Sequence, residues 1–210
     1  MKSFDLCVKP RSLEDAARLA ALSAYTDVGG VAIECSDGVW PEYRKAFRDA
    51  GLEALRRVTL RARSAGDVAR LSREARLKYD IVAVEPETDE VVRYAARDDR
   101  VDLVVYKPGY GRLIDSSQAY LHRLGGGAVE VQLTPLLSKG MFRAIMVAVR
   151  RAVAYNVPIV LSTCAATQWE FIPPRAIEAL AVVMGAPDAY AKGFTYNTPW
   201  VIARKRGRSR

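Results

Sequence analysis

Seven times along this chain an apolar run of strand length is followed by a stretch of amphipathic helical character. No other feature constrains its fold as much. The runs cover residues 4–8, 31–35, 54–61, 81–84, 101–106, 129–133 and 158–162. Nearly all are continuously apolar rather than alternating, which is the signature of parallel strands covered on both faces. The intervening stretches 41–50, 65–77, 89–97, 114–124, 139–155 and 174–184 read as helices, as does the stretch from Leu13 to Ala21. In 139–155, Phe142, Ile145, Met146, Val149 and Val153 recur at helical spacing while Arg143, Arg150 and Arg151 lie elsewhere on the circumference. Ser12 is placed to cap the first helix with Asp15 three residues on, and Pro41 suits a first helical position. A weaker eighth unit spans 188–203. The expected fold is an α/β barrel, TIM-like, of (β/α)₈ type, with an open doubly wound sheet as the alternative. Residues 1–203 form the expected single barrel domain and 204–210 a basic C-terminal tail.

The chain has 210 residues, half of them hydrophobic, enough for one sizeable core. No apolar stretch has the length of a membrane span, and Asp5 and Lys9 interrupt the N-terminus where a signal peptide needs an unbroken apolar region. The expected compartment is the cytoplasm, with no membrane partner. Cys7, Cys35 and Cys164 form no C-x-x-C pair, which argues against zinc-ribbon or thioredoxin-like chemistry and makes them expected core residues.

The single histidine, His122, falls on a predicted outer helix away from the barrel mouth. A surface position is expected for it, and a histidine-rich metal site or a serine–histidine–aspartate triad is not. The glycine clusters Gly109-Tyr110-Gly111 and Gly125-Gly126-Gly127 lack the spacing of phosphate-binding loops and read as turns. Asp5 lies in strand one, Glu34 near the end of strand two and Glu85 after strand four. Glu34 and Glu85 are the acids that could meet in a barrel mouth, either as a weak metal site or as partners of nearby arginines. No catalytic residue, resident metal or cofactor is assigned.

What remains is a basic surface. The net charge is +8, with 24 arginines among the 32 basic residues. The last seven residues carry five of those charges, Arg204, Lys205, Arg206, Arg208 and Arg210, so the rest of the chain holds 8 − 5 = +3. Arginine presents a planar fork to phosphate oxygens and stacks on bases, which suits RNA. Lys107, Arg112, Arg175 and Lys192 fall at or beyond predicted strand ends, expected to gather on one face. Tyr106, Tyr110, Trp169 and Tyr196 lie nearby in sequence, available for base stacking.

The C-terminal half carries a resemblance. Val129-Glu130-Val131-Gln132-Leu133-Thr134-Pro135-Leu136-Leu137 is similar to the sixth strand of the archaeal ribonuclease P protein component 3 family, relatives of the thirty-kilodalton human subunit. The segment 157–165, Trp169, Pro174-Arg175, the stretch from Ala179 to Gly185 and Lys192 continue the likeness in order, and Val91-Val92-Arg93-Tyr94 with Val101-Asp102 precede it. The resemblance implies a barrel related to the polymerase-and-histidinol-phosphatase fold. Enzymes of that fold open with H-x-H on strand one, whereas this chain has Cys7 and Lys9 there. It further implies a protein subunit of ribonuclease P, supporting an RNA that holds Mg²⁺ and removes the 5′ leader of precursor tRNA, alongside protein component 2 and other subunits. The residues expected to contact RNA are Arg93, Lys107, Arg112, Arg175, Lys192, Arg204, Lys205 and Arg206. Two other readings stand beside it: a free-standing metal-dependent phosphoesterase using Glu34 and Glu85, and a pure protein-assembly scaffold.

Overall fold

The computed structural model describes residues 2–205. Seven strands form one parallel sheet in sequence order: β1 (Ser3–Val8), β2 (Val28–Glu34), β3 (Glu53–Ala62), β4 (Ile81–Pro86), β5 (Leu103–Val105), β6 (Ala128–Gln132) and β7 (Ile159–Ser162). The crossover helices are α1 (Leu13–Ala24), α2 (Trp40–Asp49), α3 (Ala65–Ala75), α4 (Asp89–Arg97), α5 (Ser116–Gly125), α6 (Leu133–Leu137) with α7 (Phe142–Tyr155), and α8 (Pro174–Val183). Local chemistry starts them where the sequence suggests. Ser12, Ser64, Thr88 and Asp115 each accept a backbone N–H of the first helical turn through the side chain. Gly126, at φ 67°, ends α5 in the left-handed conformation that glycine adopts without steric cost.

The sheet curls into a nearly closed barrel, an α/β TIM-like fold, with β1 meeting β7 through one isolated bridge, Val8 to Ala165. Outer-facing strand residues pack under the helices, as Val129, Val131 and Ile159 do against Ile145 and Val149 of α7. Phe4, Leu6, Ile81, Ala83, Leu103, Val105, Ala128 and Val160 fill the lumen.

The expected eighth strand–helix unit does not form. Residues 188–203 are helical throughout: α9 (Asp188–Lys192), a π-turn (Gly193–Asn197) and α10 (Thr198–Arg204). Pro199 cannot donate to a sheet ladder, and the buried residues Ala191, Phe194, Thr195, Ile202 and Ala203 recur at helical rather than strand spacing. Ile202 and Ala203 enter the lumen cluster, so α10 plugs the N-terminal end of the barrel. Arg204 pairs with Glu53 at 2.9 Å, and the Lys205 ammonium donates to the carbonyls of Asp99 (3.0 Å) and Gly125 (2.8 Å). Both residues are anchored to that rim. Arg206 lies outside the described residues. No helix among the described residues is long and apolar enough to cross a membrane.

His122 is on an outer helix as expected but not on the surface; it is 1% exposed, on the inner face of α5. The Gln118 carboxamide oxygen accepts from Arg93, so its nitrogen faces and donates to His122 Nε2 at 3.1 Å. Burial, then the charges of Lys205 and Arg93, push this imidazole down to about 3. It is therefore neutral in the folded protein. A histidine so depressed contributes stability that is present above its ordinary value of 6.5 and is lost as pH falls from there toward about 3. Because the chain has one histidine, its ring proton resonance is unambiguous. We expect no titration of that resonance between pH 8 and 5 by NMR, whereas an exposed imidazole would titrate midway.

Candidate nucleic-acid interface

The pleat that fills the lower lumen with apolar residues brings polar ones inward near the C-terminal mouth. Arg57 of β3 and Glu130 of β6, both completely buried, meet across the lumen in a bidentate pair at 2.5 and 2.6 Å. Arg57 also donates to the Leu6 carbonyl. Glu130 accepts in addition from Ser162 at 2.8 Å and Gln132 at 3.0 Å. Burial works to raise the Glu130 carboxyl, but the Arg57 charge and these hydrogen bonds outweigh it and hold the group below the ordinary carboxylate value.

Above this pair Glu34 is engaged by Lys9 at 3.2 Å, by Arg57 at 3.4 Å and by the Thr59 hydroxyl at 2.6 Å. Glu85 is held between Lys107 at 3.1 Å and Arg61 at 3.2 Å. The two acids do reach the mouth, each neutralised there by basic side chains. Among the described residues no group of three or more histidine, cysteine, aspartate or glutamate side chains is arranged to hold a metal ion.

Asp5 faces the other side of β1, where it receives the backbone N–H groups of Cys7 and Thr163, both at 3.2 Å, and the Thr163 hydroxyl. Burial dominates these bonds and raises its carboxyl from 3.8 to about 6. For an acid raised in this way, the contribution to stability is full below the ordinary value and is lost as pH rises through about 6. Asp5→Asn keeps an oxygen for the backbone donors and never ionises. We expect the wild type to lose up to about 3 kcal/mol relative to Asp5→Asn between pH 4 and 8, read from urea midpoints at each pH.

The candidate RNA-contacting residues divide between the two ends of the barrel and its flank. Lys107 follows β5 at the C-terminal rim, and Arg112 lies in the 3₁₀ turn Pro108–Leu113, paired with Asp89 at 2.6 Å. Arg175 reaches the opposite end, pairing at 3.0 Å with Asp27, the residue just before β2. With Lys192, Glu178, Tyr196, Asn197 and Asp27 it lines a cavity of about 590 Å³. Arg93 clamps α4 to the start of α5, bidentate on Asp115 at 2.8 and 2.6 Å. The expected single face is therefore corrected: Lys107 and Arg112 share the C-terminal rim, while Arg175 and Lys192 border a separate cavity.

The aromatic candidates divide similarly. Tyr106 is buried with its hydroxyl donating to the Ala144 carbonyl at 3.1 Å, and Tyr110 packs against the outer core. Trp169, in the 3₁₀ turn Gln168–Glu170, is 86% exposed.

The loops after β5, β6 and β7 are neighbours because their strands are. The Arg151 side chain donates to the carbonyls of Ile114 and Arg112, binding the first loop to α7. Thr134 gives its N–H to the Thr163 carbonyl and its hydroxyl to the Glu170 carbonyl, joining the second loop to the third. This sector carries Lys107, Arg112, Lys139 and Arg143 beside exposed Phe142 and Trp169. Lys139 and Arg143 have no ion-pair partner among the described residues and were not among the expected contacts. A signal for them exists in the sequence, which holds no acid between Glu130 and Glu170.

Comparison with known proteins follows the same direction. A family model described as RNase P subunit p30 matches residues 2–210. The chain is 30% identical over 205 residues to ribonuclease P protein component 3 of Aeropyrum pernix, covering 91% of this chain and 92% of that protein. It superposes at a TM-score of 0.78 on a chain from a cryo-EM structure of archaeal ribonuclease P with mature tRNA, with 21% identity over 97% of this chain and 91% of the other. At that identity the superposition establishes the shared fold.

Proposed function

Starting from the premise that the chain belongs to the RNase P subunit p30 family, we propose that it is an RNA-binding protein subunit of ribonuclease P, supporting 5′-leader removal from precursor tRNA. The observation that carries this reading is the pairing of a neutralised barrel mouth with a cationic C-terminal rim. Glu34, Glu85 and Glu130 are each engaged by basic side chains, an arrangement that suits structural ion pairs more than a cluster of metal ligands. The rim offers Lys139 and Arg143 to phosphates, with Lys107 and Arg112 beside them able to exchange their pairs with Glu85 and Asp89 for a phosphate, and Trp169 to an unpaired base.

The labour then divides between molecules. The RNA subunit holds Mg²⁺ and orients water on the leader phosphodiester. This chain screens phosphate repulsion and fixes the fold of the RNA, with protein component 2 as its protein neighbour. Arg175 and Lys192, around the second cavity, are candidates for a separate contact, and Arg204 and Lys205 for another at the N-terminal rim.

The test is reconstitution of precursor-tRNA cleavage from the cognate RNA and component 2 at modest Mg²⁺, with and without this chain. Cleavage that rises only in its presence, and weakens when Lys139 and Arg143 become alanine, supports the reading. A chain that adds nothing to the RNA yet cleaves a phosphodiester alone would return the phosphoesterase alternative.

A further inference from the structure

The β1–β7 boundary differs from every other in the sheet. The six sequential pairs of strands are joined by ladders of two to six residue pairs, whereas β1 and the end of β7 share the isolated bridge of Val8 and Ala165, with the Lys9 N–H donating to the Ala165 carbonyl at 2.8 Å. On the other side of this bridge Asp5 receives the Thr163 N–H. Between these two ties stand Cys7 and Cys164, joined as a disulfide across a sequence separation of 157, with Cα atoms 4.5 Å apart. That spacing lies at the short end of the range disulfides span. Cys7 is fully enclosed and Cys164 nearly so. Cys164 also turns the chain, at φ 55°, as it leaves the seam for the segment that carries Trp169.

We propose that Cys7 and Cys164 are a redox-operated latch on the barrel seam. Closed, the disulfide ties β1 covalently to the segment 163–171. Open, as two thiols, it leaves that boundary to the bridge and the Asp5–Thr163 hydrogen bonds. The exchange partner is a small disulfide such as glutathione disulfide. One cysteine thiolate attacks it and releases a glutathione thiolate. The second cysteine then attacks the mixed disulfide and releases the other. Two cysteine thiols are oxidised, one glutathione disulfide is reduced to two thiols, and two protons leave the cysteines. A reducing compartment holds the latch open; oxidising conditions close it.

Burial makes exchange wait for the seam to open, so the latch responds slowly. Because the closed loop spans most of the chain, closing it removes much of the freedom of the unfolded state. The structural effect is local to the rim. Thr163 accepts from the Thr134 N–H, and Glu170 from the Thr134 hydroxyl, so the latched segment also anchors the start of α6.

The experiment uses the full chain equilibrated with glutathione disulfide or with excess reduced glutathione, then unfolded in an alkylating agent and weighed intact. The latch predicts that after the first treatment Cys35 alone carries a label, an alkyl group or one glutathione, and that all three cysteines are alkylated after the second. It also predicts a thermal midpoint higher by about 10 °C or more in the oxidised protein, and slower hydrogen exchange across 163–171. Cys7→Ser and Cys164→Ser should each abolish the difference between treatments, while Cys35→Ser keeps it. Three alkylated thiols after prolonged oxidation, or a closed bond with no change in midpoint or exchange, would overturn the proposal. Thiol counting and hydrogen exchange need no RNA, so this result is independent of the ribonuclease P reading.

Discussion

Arg57→Met is expected to destabilise the protein by about 3–5 kcal/mol, because it removes one member of a fully buried ion pair and leaves the other in place. For a chain of this length that corresponds to a fall in thermal midpoint on the order of 10 °C. The pH dependence identifies the cause. In the wild type the depressed Glu130 carboxyl contributes stability that is present above its ordinary value and is lost as pH falls through the folded value. Without Arg57, burial governs and the folded carboxyl is raised. Its contribution is then full below the ordinary value and lost as pH rises. The deficit of the variant relative to wild type should therefore grow between pH 4 and pH 8 in urea titrations. Arg57→Met combined with Glu130→Leu should recover most of the loss, since an apolar pair of similar volume avoids the stranded charge. A deficit that is flat with pH, or unchanged in the double variant, would mean that packing rather than charge is at stake.

Replacing Lys107, Arg112, Lys139 and Arg143 together with alanine is expected to weaken binding of the cognate RNA by roughly 10²–10³ at low salt. The dependence of log affinity on log salt should flatten by about 3, since each cation that neutralises a phosphate releases a counterion. All four side chains are at least partly exposed and outside the apolar core, so the unfolding midpoint should hardly move. Trp169→Ala, measured alongside, separates stacking from charge: it should cost about 1–3 kcal/mol of affinity with no change in salt slope. Unchanged affinity and slope in the fourfold variant would remove the C-terminal rim from the interface and direct attention to the cavity bordered by Arg175 and Lys192.

The barrel is legible in the sequence because strand burial and helix caps are local signals. The helix beginning at Asp89 and ending at Arg97 coincides in reading and structure, since Thr88 caps it and Val91, Val92, Ala95 and Ala96 trace one buried face. The eighth unit over 188–203 fails because Pro199 cannot donate to a ladder and the buried residues there follow a helical period. The burial of His122 is not legible because a helix's place in the chain says little about which of its faces turns inward. The Arg57–Glu130 pair could not be foreseen. Its partners are 73 residues apart and meet only through the inward pleat of two strands facing each other across a lumen. For the interface, counting basic residues near strand ends found Lys107 and Arg112 but joined them to Arg175, whose long side chain turns toward the opposite rim. Lys139 and Arg143 are marked in the sequence only by the absence of acids between Glu130 and Glu170, a weaker signal than a basic residue at a strand end.

The α10 plug bears on how the protein is made. A ribosome delivers the strands in the order in which they pair, so the wall of the barrel can grow as the chain emerges. Ile202 and Ala203 come after every strand. Until they arrive, the lumen side chains around Phe4, Ile81, Leu103 and Ala128 face open water at one end. The wall of the barrel is thus complete before its plug, and the lumen is most exposed to aggregation until α10 docks.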